Sequence, residues 1–149
     1  MNVKIVNNSG FENPGYATAE SAGIDLKAVL AVVGEQMSLV IAPGQREIIS
    51  TEIYLELPSG LEAQVRPRSG LAAKHGLTVL NSPGTIDSDY RGEVKVIVIN
   101  HGAEAVTINH GDRICQLVFT RFEHVRFDNV DVLGETDRGK SGLGSTGVL

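Results

Sequence analysis

Tryptophan is absent from this 149-residue chain, aromatic residues make up only 5% of it, and there is one cysteine. Each scarcity excludes something. With so few rings the chain has no broad platform on which successive bases of a single strand would stack. Basic side chains are also short in number: 13 Lys and Arg stand against 18 Asp and Glu, a net charge of −5. Bulk-charge binding of nucleic-acid polymers needs a basic footprint, so that class is excluded. A lone Cys115 can form no intrachain disulfide, which suits a reducing cytoplasm. Inside the apolar run Arg113–Phe119 it reads as a buried structural thiol, with no activating base nearby in the sequence. Long apolar runs are missing as well. No window approaches the ~18 consecutive apolar residues of a membrane span, and Met1-Asn2-Val3-Lys4-Ile5 lacks the apolar core of a signal peptide. The expectation is a cytoplasmic protein with no membrane partner.

What is present suits one globular domain: 42% apolar and 21% charged residues over a length able to bury a single core. The 17 glycines fall in clusters, several of them beside lone arginines. Ile49, Thr51, Ile53, Leu55 and Leu57 alternate with Ser50, Glu52, Tyr54 and Glu56, the period-2 pattern of one half-buried strand. Val94, Val96 and Val98 alternate with Lys95, Ile97 and Ile99, which reads as a strand covered on both faces. Pro43-Gly44, Pro58-Ser59-Gly60, Pro83-Gly84, His101-Gly102 and His110-Gly111 mark turns between such runs. The one helical fragment is Leu71–His75, stopped by Gly76. Many short strands with frequent turns predict an all-β jelly-roll-like barrel or sandwich with one very short helix. Residues 1–133 form the β domain of this reading, and 134–149, rich in Gly, Ser and Thr, a flexible C-terminal arm.

Chemistry has several candidate places. The four histidines (75, 101, 110, 124) have no close spacing with one another or with Cys115, so nothing supports a zinc site. Gly134–Ser141 matches the P-loop pattern, but no α/β unit lies upstream and the Gly, Ser and Thr residues that follow cannot seed a helix. That arm can still wrap phosphates with backbone N–H groups, hydroxyls, Arg138 and Lys140. In Arg66-Pro67-Arg68-Ser69-Gly70-Leu71, Ser69 is placed to cap the short helix, whose free N–H groups can receive an anion. Between Leu80 and Val96, two apolar runs flank a turn-rich stretch with Asn81, Asp87, Asp89 and Tyr90. There Asn81 offers a two-sided amide, and Asp87, following Ile86, reads as a partly desolvated general base for water. The same residues also suit ordinary Asx-turns.

Taken in order, Ala22-Gly23-Ile24-Asp25-Leu26, Pro67–Ala72, Asn81–Lys95, Gly111–Leu117 and Arg138–Gly147 closely resemble the five motifs of the trimeric dUTPases (deoxyuridine triphosphate nucleotidohydrolases). The resemblance spans residues 22 to 147. It implies a jelly-roll-like fold in a homotrimer with active sites at subunit interfaces, and Mg²⁺-dependent hydrolysis of dUTP to dUMP and pyrophosphate. Such an enzyme lowers dUTP, keeps uracil out of DNA and supplies dUMP for dTMP synthesis. On the matching positions, the resemblance makes Asp87 the residue that activates water for attack on the α-phosphate. Asp25 would hold Mg²⁺ through metal-bound waters, and Arg68, Ser69, Gly70 and Gln116 would bind phosphates. Asn81 and the backbone around Thr85, Ile86 and Lys95 would read the uracil edge, while Tyr90 packs under the deoxyribose and excludes a ribose 2′-hydroxyl. Arg138, Gly144, Ser145 and Thr146 would close over the triphosphate from a neighbouring subunit, with Leu143 covering the uracil face.

The arm departs from the family pattern: Leu143 stands where an aromatic residue is usual, and Ser141 where a glycine is. A stacking contribution of roughly 1–3 kcal/mol is thereby reduced. Two other readings remain at this point. One is a dCTP deaminase of the same superfamily, possibly bifunctional; the other is a non-catalytic trimeric jelly-roll module that binds a partner.

Overall fold

The β-pattern of the sequence is realised in a computed structural model that describes residues 1–31 and 37–142. In chain order the elements are β1 (Lys4–Asn7), β2 (Gly23–Lys27), β3 (Ser38–Ile41), β4 (Arg46–Ile49), β5 (Ile53–Glu56), β6 (Leu61–Arg66), α1 (Ser69–His75), β7 (Leu77–Val79), β8 (Gly84–Ile86), β9 (Val96–Asn100), β10 (Val106–Asn109) and β11 (Arg113–Arg121). The pairings between these strands are antiparallel, and the architecture is a jelly roll. The largest sheet has the order β2-β11-β6-β8; beside it lie β4-β9-β7 and the pairs β1-β5 and β3-β10. No helix among the described residues is long and apolar enough to cross a membrane.

The core follows the alternation directly. In the β2-β11-β6-β8 sheet, Ile24, Leu117 and Val65 share one inward row, and Leu26 faces Cys115 in the next. Leu26, Leu117, Val94, Val96 and Val98 are all but fully buried. Truncating one of them, Leu117 to Ala for instance, falls in the range of about 2–5 kcal/mol for a large-to-small core change. Cys115 is fully buried too. Burial, reinforced by the nearby Asp25 charge, pushes its thiol up to about 12. The folded protein is therefore expected to leave an alkylating reagent unconsumed at about pH 8, where an exposed thiol reacts readily. Mass spectrometry should find Cys115 modified only after denaturation; modification of the folded protein at the rate of free cysteine would contradict the packing.

Two strands differ from their sequence reading. Residues 49–57 keep the predicted alternation, with Ile49, Thr51, Ile53, Leu55 and Leu57 all buried, but they do not form one strand. The chain leaves β9 after Ile49, turns through Glu52 at φ 53°, and pairs with β1 from Ile53 onward. A left-handed φ at a non-glycine residue costs energy unless its surroundings impose it. In β9, Val94, Val96 and Val98 are buried as expected, but Ile97 and Ile99 face out of the β4-β9-β7 sheet beside Ile48, which is 65% exposed. That second apolar face is only partly covered among the described residues: Ile97 and Ile99 are half-buried and Ile48 is exposed.

Candidate active site

One row of the large sheet carries the first group of candidates. Asp25 on β2 pairs with Gln116 on β11, which pairs with Arg66 at the end of β6, so all three project from the outer face. Arg113 joins them through a β-bulge between Arg113 and Cys115. Three residues apart on a regular strand, Arg113 and Gln116 would point to opposite faces. The bulge turns both Ile114 and Cys115 inward and puts Arg113 beside Asp25.

Arg68 follows β6 in extended conformation and leads into α1. Its Nε donates to Asp25 Oδ1 at 3.1 Å and its Nη1 to the Arg113 carbonyl at 3.0 Å. Arg113 Nη1 lies 3.3 Å from Asp25 Oδ2. Asp25 and Arg68 are about 30% exposed, so these pairs add little to stability, roughly 1 kcal/mol or less each. Their effect is geometric. The planar guanidinium of Arg68 is fixed on one edge, and its remaining terminal nitrogen makes no bond among the described residues. Gln116 Nε2 donates to the Pro67 carbonyl at 2.9 Å, and its side chain lies against Gly23, where an added Cβ would run into the amide oxygen.

Ser69 is not the helix cap that the sequence suggested. The cap position is Arg68, with no side-chain cap bond, and Ser69 is the first helical residue. The Arg68 carbonyl accepts from both Leu71 and Ala72, each at 3.1 Å. Ser69 and Gly70 are exposed beside Arg68, with the Ser69 hydroxyl not taken up by the helix end. The C-terminus of α1 agrees with the sequence: Gly76 closes it at φ 67°.

A second group lies on the loops around β8. Asn81 is exposed and packs over buried Gly84, where a Cβ would come within 3.1 Å of its Nδ2. Thr85 and Ile86 belong to β8, an edge strand paired only with β6. Alternate residues of such an edge turn their N–H and C=O groups outward, free to read a planar ligand. Asp87 caps a turn in which its carbonyl accepts the Tyr90 N–H at 3.2 Å. Its side chain is exposed rather than desolvated, so any dry environment must come from beyond the described residues. The Tyr90 hydroxyl donates to the Glu93 carbonyl at 3.0 Å, and the ring covers Gly92 so closely that a Cβ there would run into it. Lys95 is exposed, its Nζ 3.6 Å from Glu93 Oε2.

These two groups do not meet in one chain. The Asp25 row crosses β8 near Pro83, and Asp87 lies about four residues further along; with three strand spacings across the sheet, that is roughly 20 Å. The third group is further removed. Past β11, residues 122–142 form no strand, and Arg138 sits in an exposed turn with Nε donating to the Ser141 carbonyl at 3.1 Å. Leu143, Gly144, Ser145 and Thr146 lie outside the described residues.

Sequence reasoning did not select Arg113, Gly84 or Glu93. Arg113 lies within the Gly111–Leu117 motif but its face depends on the bulge, and Glu93 bonds residues more than 40 positions away. Among the described residues no group of three or more His, Cys, Asp or Glu is placed to hold a metal. Asp25 alone offers a carboxylate here, and both its oxygens already face guanidinium groups. That donor set fits Mg²⁺ held mainly by substrate phosphates and water, the hydrated mode this ion prefers.

Comparison with known proteins places the chain in a family. The family model for dUTPase matches residues 10–147. The chain is 51% identical over 145 residues to the deoxyuridine 5′-triphosphate nucleotidohydrolase of Cytophaga hutchinsonii, covering 97% of this chain and 91% of that one. It is 48% identical over 147 residues to the enzyme of the same name from Finegoldia magna, covering 99% of each. The fold matches that of the Staphylococcus bacteriophage 80alpha dUTPase with dUPNHPP, at 20% identity, a TM-score of 0.85 and 99% coverage of both chains. It also matches a mutant dUTPase from phage phi11 of S. aureus, described with a structural Mg(II) ion, at 18% identity and a TM-score of 0.77, covering 91% of this chain and 100% of that one. The chain belongs to the dUTPase family.

Proposed function

We propose that the protein hydrolyses dUTP to dUMP and pyrophosphate in the cytoplasm, at sites assembled from different copies of the chain. The observation that carries this reading is the corner formed by Arg68, Asp25 and Arg113 beside Ser69 and Gln116. In a chain of net charge −5 it concentrates two guanidinium groups where a triphosphate can be neutralised locally. Phosphoryl chemistry asks mainly for such neutralisation and for an aligned nucleophile.

Asp87 accepts a proton from a water molecule as the water oxygen bonds to the α-phosphorus. The bond from that phosphorus to the oxygen bridging to the β-phosphate breaks, and pyrophosphate leaves. Arg68, Ser69, Gly70 and Gln116 bind the phosphates. Asp25 would help to hold a Mg²⁺ ion brought with the phosphates, and that ion would supply further charge neutralisation. Asn81 and the outward backbone groups near Thr85, Ile86 and Lys95 pair with the uracil edge. Thymine's methyl group clashes there, and cytosine leaves buried groups unpaired. Tyr90 lies under the deoxyribose, where its ring meets a 2′-hydroxyl. Arg138, with Leu143, Gly144, Ser145 and Thr146 of the 134–149 arm, closes the site.

A homotrimer accounts for two features of the isolated chain. The roughly 20 Å gap between Asp87 and the phosphate corner is bridged when they come from different copies. The exposed Ile48, with half-buried Ile97 and Ile99 beside it, gains a partner. Incubation with each deoxy- and ribonucleoside triphosphate plus Mg²⁺ tests the activity. Release of dUMP and pyrophosphate from dUTP, with little from dCTP, dTTP or UTP, is expected. Ammonia release from dCTP would favour deamination instead, and no turnover at all would favour a non-catalytic binding module.

A further inference from the structure

The loop from Asp87 to Glu93 carries both the water-activating carboxylate and the sugar-facing ring, yet the side-chain bonds of Tyr90 and Arg91 close on the loop itself. Arg91 Nη1 donates to the carbonyls of Ser88 and Tyr90, at 2.8 and 2.9 Å, and the Tyr90 hydroxyl donates to the Glu93 carbonyl. The side chain that ties this loop to another part of the fold is Glu93. Its Oε1 accepts from the Ser50 hydroxyl, from the Thr51 N–H at 3.0 Å and from the Glu52 N–H at 2.9 Å. The Glu93 side chain is only 13% exposed. Burial pushes its carboxyl upward, but the hydrogen bonds from Ser50, Glu52 and Thr51, with Lys95 nearby, outweigh that and hold it below the usual carboxylate value.

Those three donors belong to the crossover between β4 and β5, where Glu52 adopts its left-handed conformation. A carboxylate oxygen is acceptor-only and takes charge-assisted bonds, so one atom can hold three converging donors. We infer that Glu93 is a positioning residue for substrate selection: by pinning its loop to the Ser50–Glu52 crossover it fixes the Tyr90 ring, on which rejection of a ribose 2′-hydroxyl depends. The inference rests on the assignment of Tyr90 to the sugar. The path is short and covalent in part. Glu93 presents its side chain to the crossover and its own carbonyl to the Tyr90 hydroxyl, and Gly92, having no Cβ, lets the ring lie directly against the backbone there.

The test measures kcat and KM for dUTP and UTP, with Tm, in Glu93→Ala, Glu93→Gln, Ser50→Ala and Tyr90→Ala. Displacement of a positioning group by about 1 Å can cost up to ~100-fold, and Glu93→Ala is expected to narrow the dUTP-to-UTP ratio of kcat/KM about tenfold, mainly through a higher KM for dUTP. The glutamine oxygen still accepts all three donors, so Glu93→Gln should keep the ratio within about threefold of the parent. Ser50→Ala removes one donor, and its ratio should move in the same direction by less; it decides the matter if Glu93→Ala does not fold. A lower Tm with an unchanged ratio in Glu93→Ala, or an unchanged ratio in Ser50→Ala where only that variant folds, overturns the inference. Tyr90→Ala separates the two assignments: if it leaves the ratio unchanged, the role of Tyr90 fails; if it collapses the ratio while Glu93→Ala does not, only the role of Glu93 fails.

Discussion

Replacing Asp87 by Asn is expected to lower kcat for dUTP by roughly 10²- to 10⁴-fold, the span associated with loss of a positioned general base. The substitution keeps size and shape and removes only the ability to take a proton. Asp87 is exposed, and its side chain makes no hydrogen bond among the described residues, so the fold should not register the change. Stability should stay within about 0.5 kcal/mol of the parent, as for a surface substitution away from caps and core. KM should change little, because the phosphate and uracil contacts are made elsewhere. Stopped or quenched assays of pyrophosphate release give kcat, and a thermal melt gives the control. Turnover near the parent rate would remove Asp87 from the chemistry, whereas a large fall in Tm would show that the residue holds structure.

Much of the fold was legible because burial follows period-2 alternation. The residues 49, 51, 53, 55 and 57 are buried as their pattern says. What the pattern does not contain is partner choice: the strand breaks at Glu52, where a carboxylate 41 residues away accepts the backbone N–H, and no local rule announces that contact. The active-site corner shows the same division. Asp25, Arg68 and Gln116 were recognisable from motifs, and the structure brings them together in one row and its flank. Arg113 was not recognisable, since a period-2 reading sends it to the face opposite Gln116, and only the bulge reverses this. Asp87 was read as desolvated from its apolar neighbour Ile86, but in an edge loop a neighbouring apolar residue turns inward while the carboxylate turns out. The pattern of Ile97 and Ile99 anticipates cover, and among the described residues they have it only in part, with Ile48 beside them exposed. An alternation can say that a face is apolar without saying whose surface meets it.

That last point gives the second large effect. If each site takes its phosphate corner from one copy and Asp87 from another, two inactive variants should restore each other. Arg68→Ala loses the guanidinium held by Asp25 and removes a charge-assisted phosphate contact; Asp87→Asn loses the base. Each alone should turn over at about 1% of the parent rate or less. Mixed in equal amounts, unfolded and refolded together, the chains should reassociate at random. A working site then needs an Asp87→Asn chain supplying the intact corner next to an Arg68→Ala chain supplying the intact base. In a ring of identical head-to-tail contacts that happens at about one site in four, so activity should rise to roughly a quarter of the parent. Both variants carry the whole 134–149 arm, so the origin of Arg138 does not alter the expectation. If corner and base instead came from the same chain, every site would contain one defect and mixing would restore nothing. The roughly 20 Å that separate Asp87 from the Asp25 row within one chain favour the first outcome.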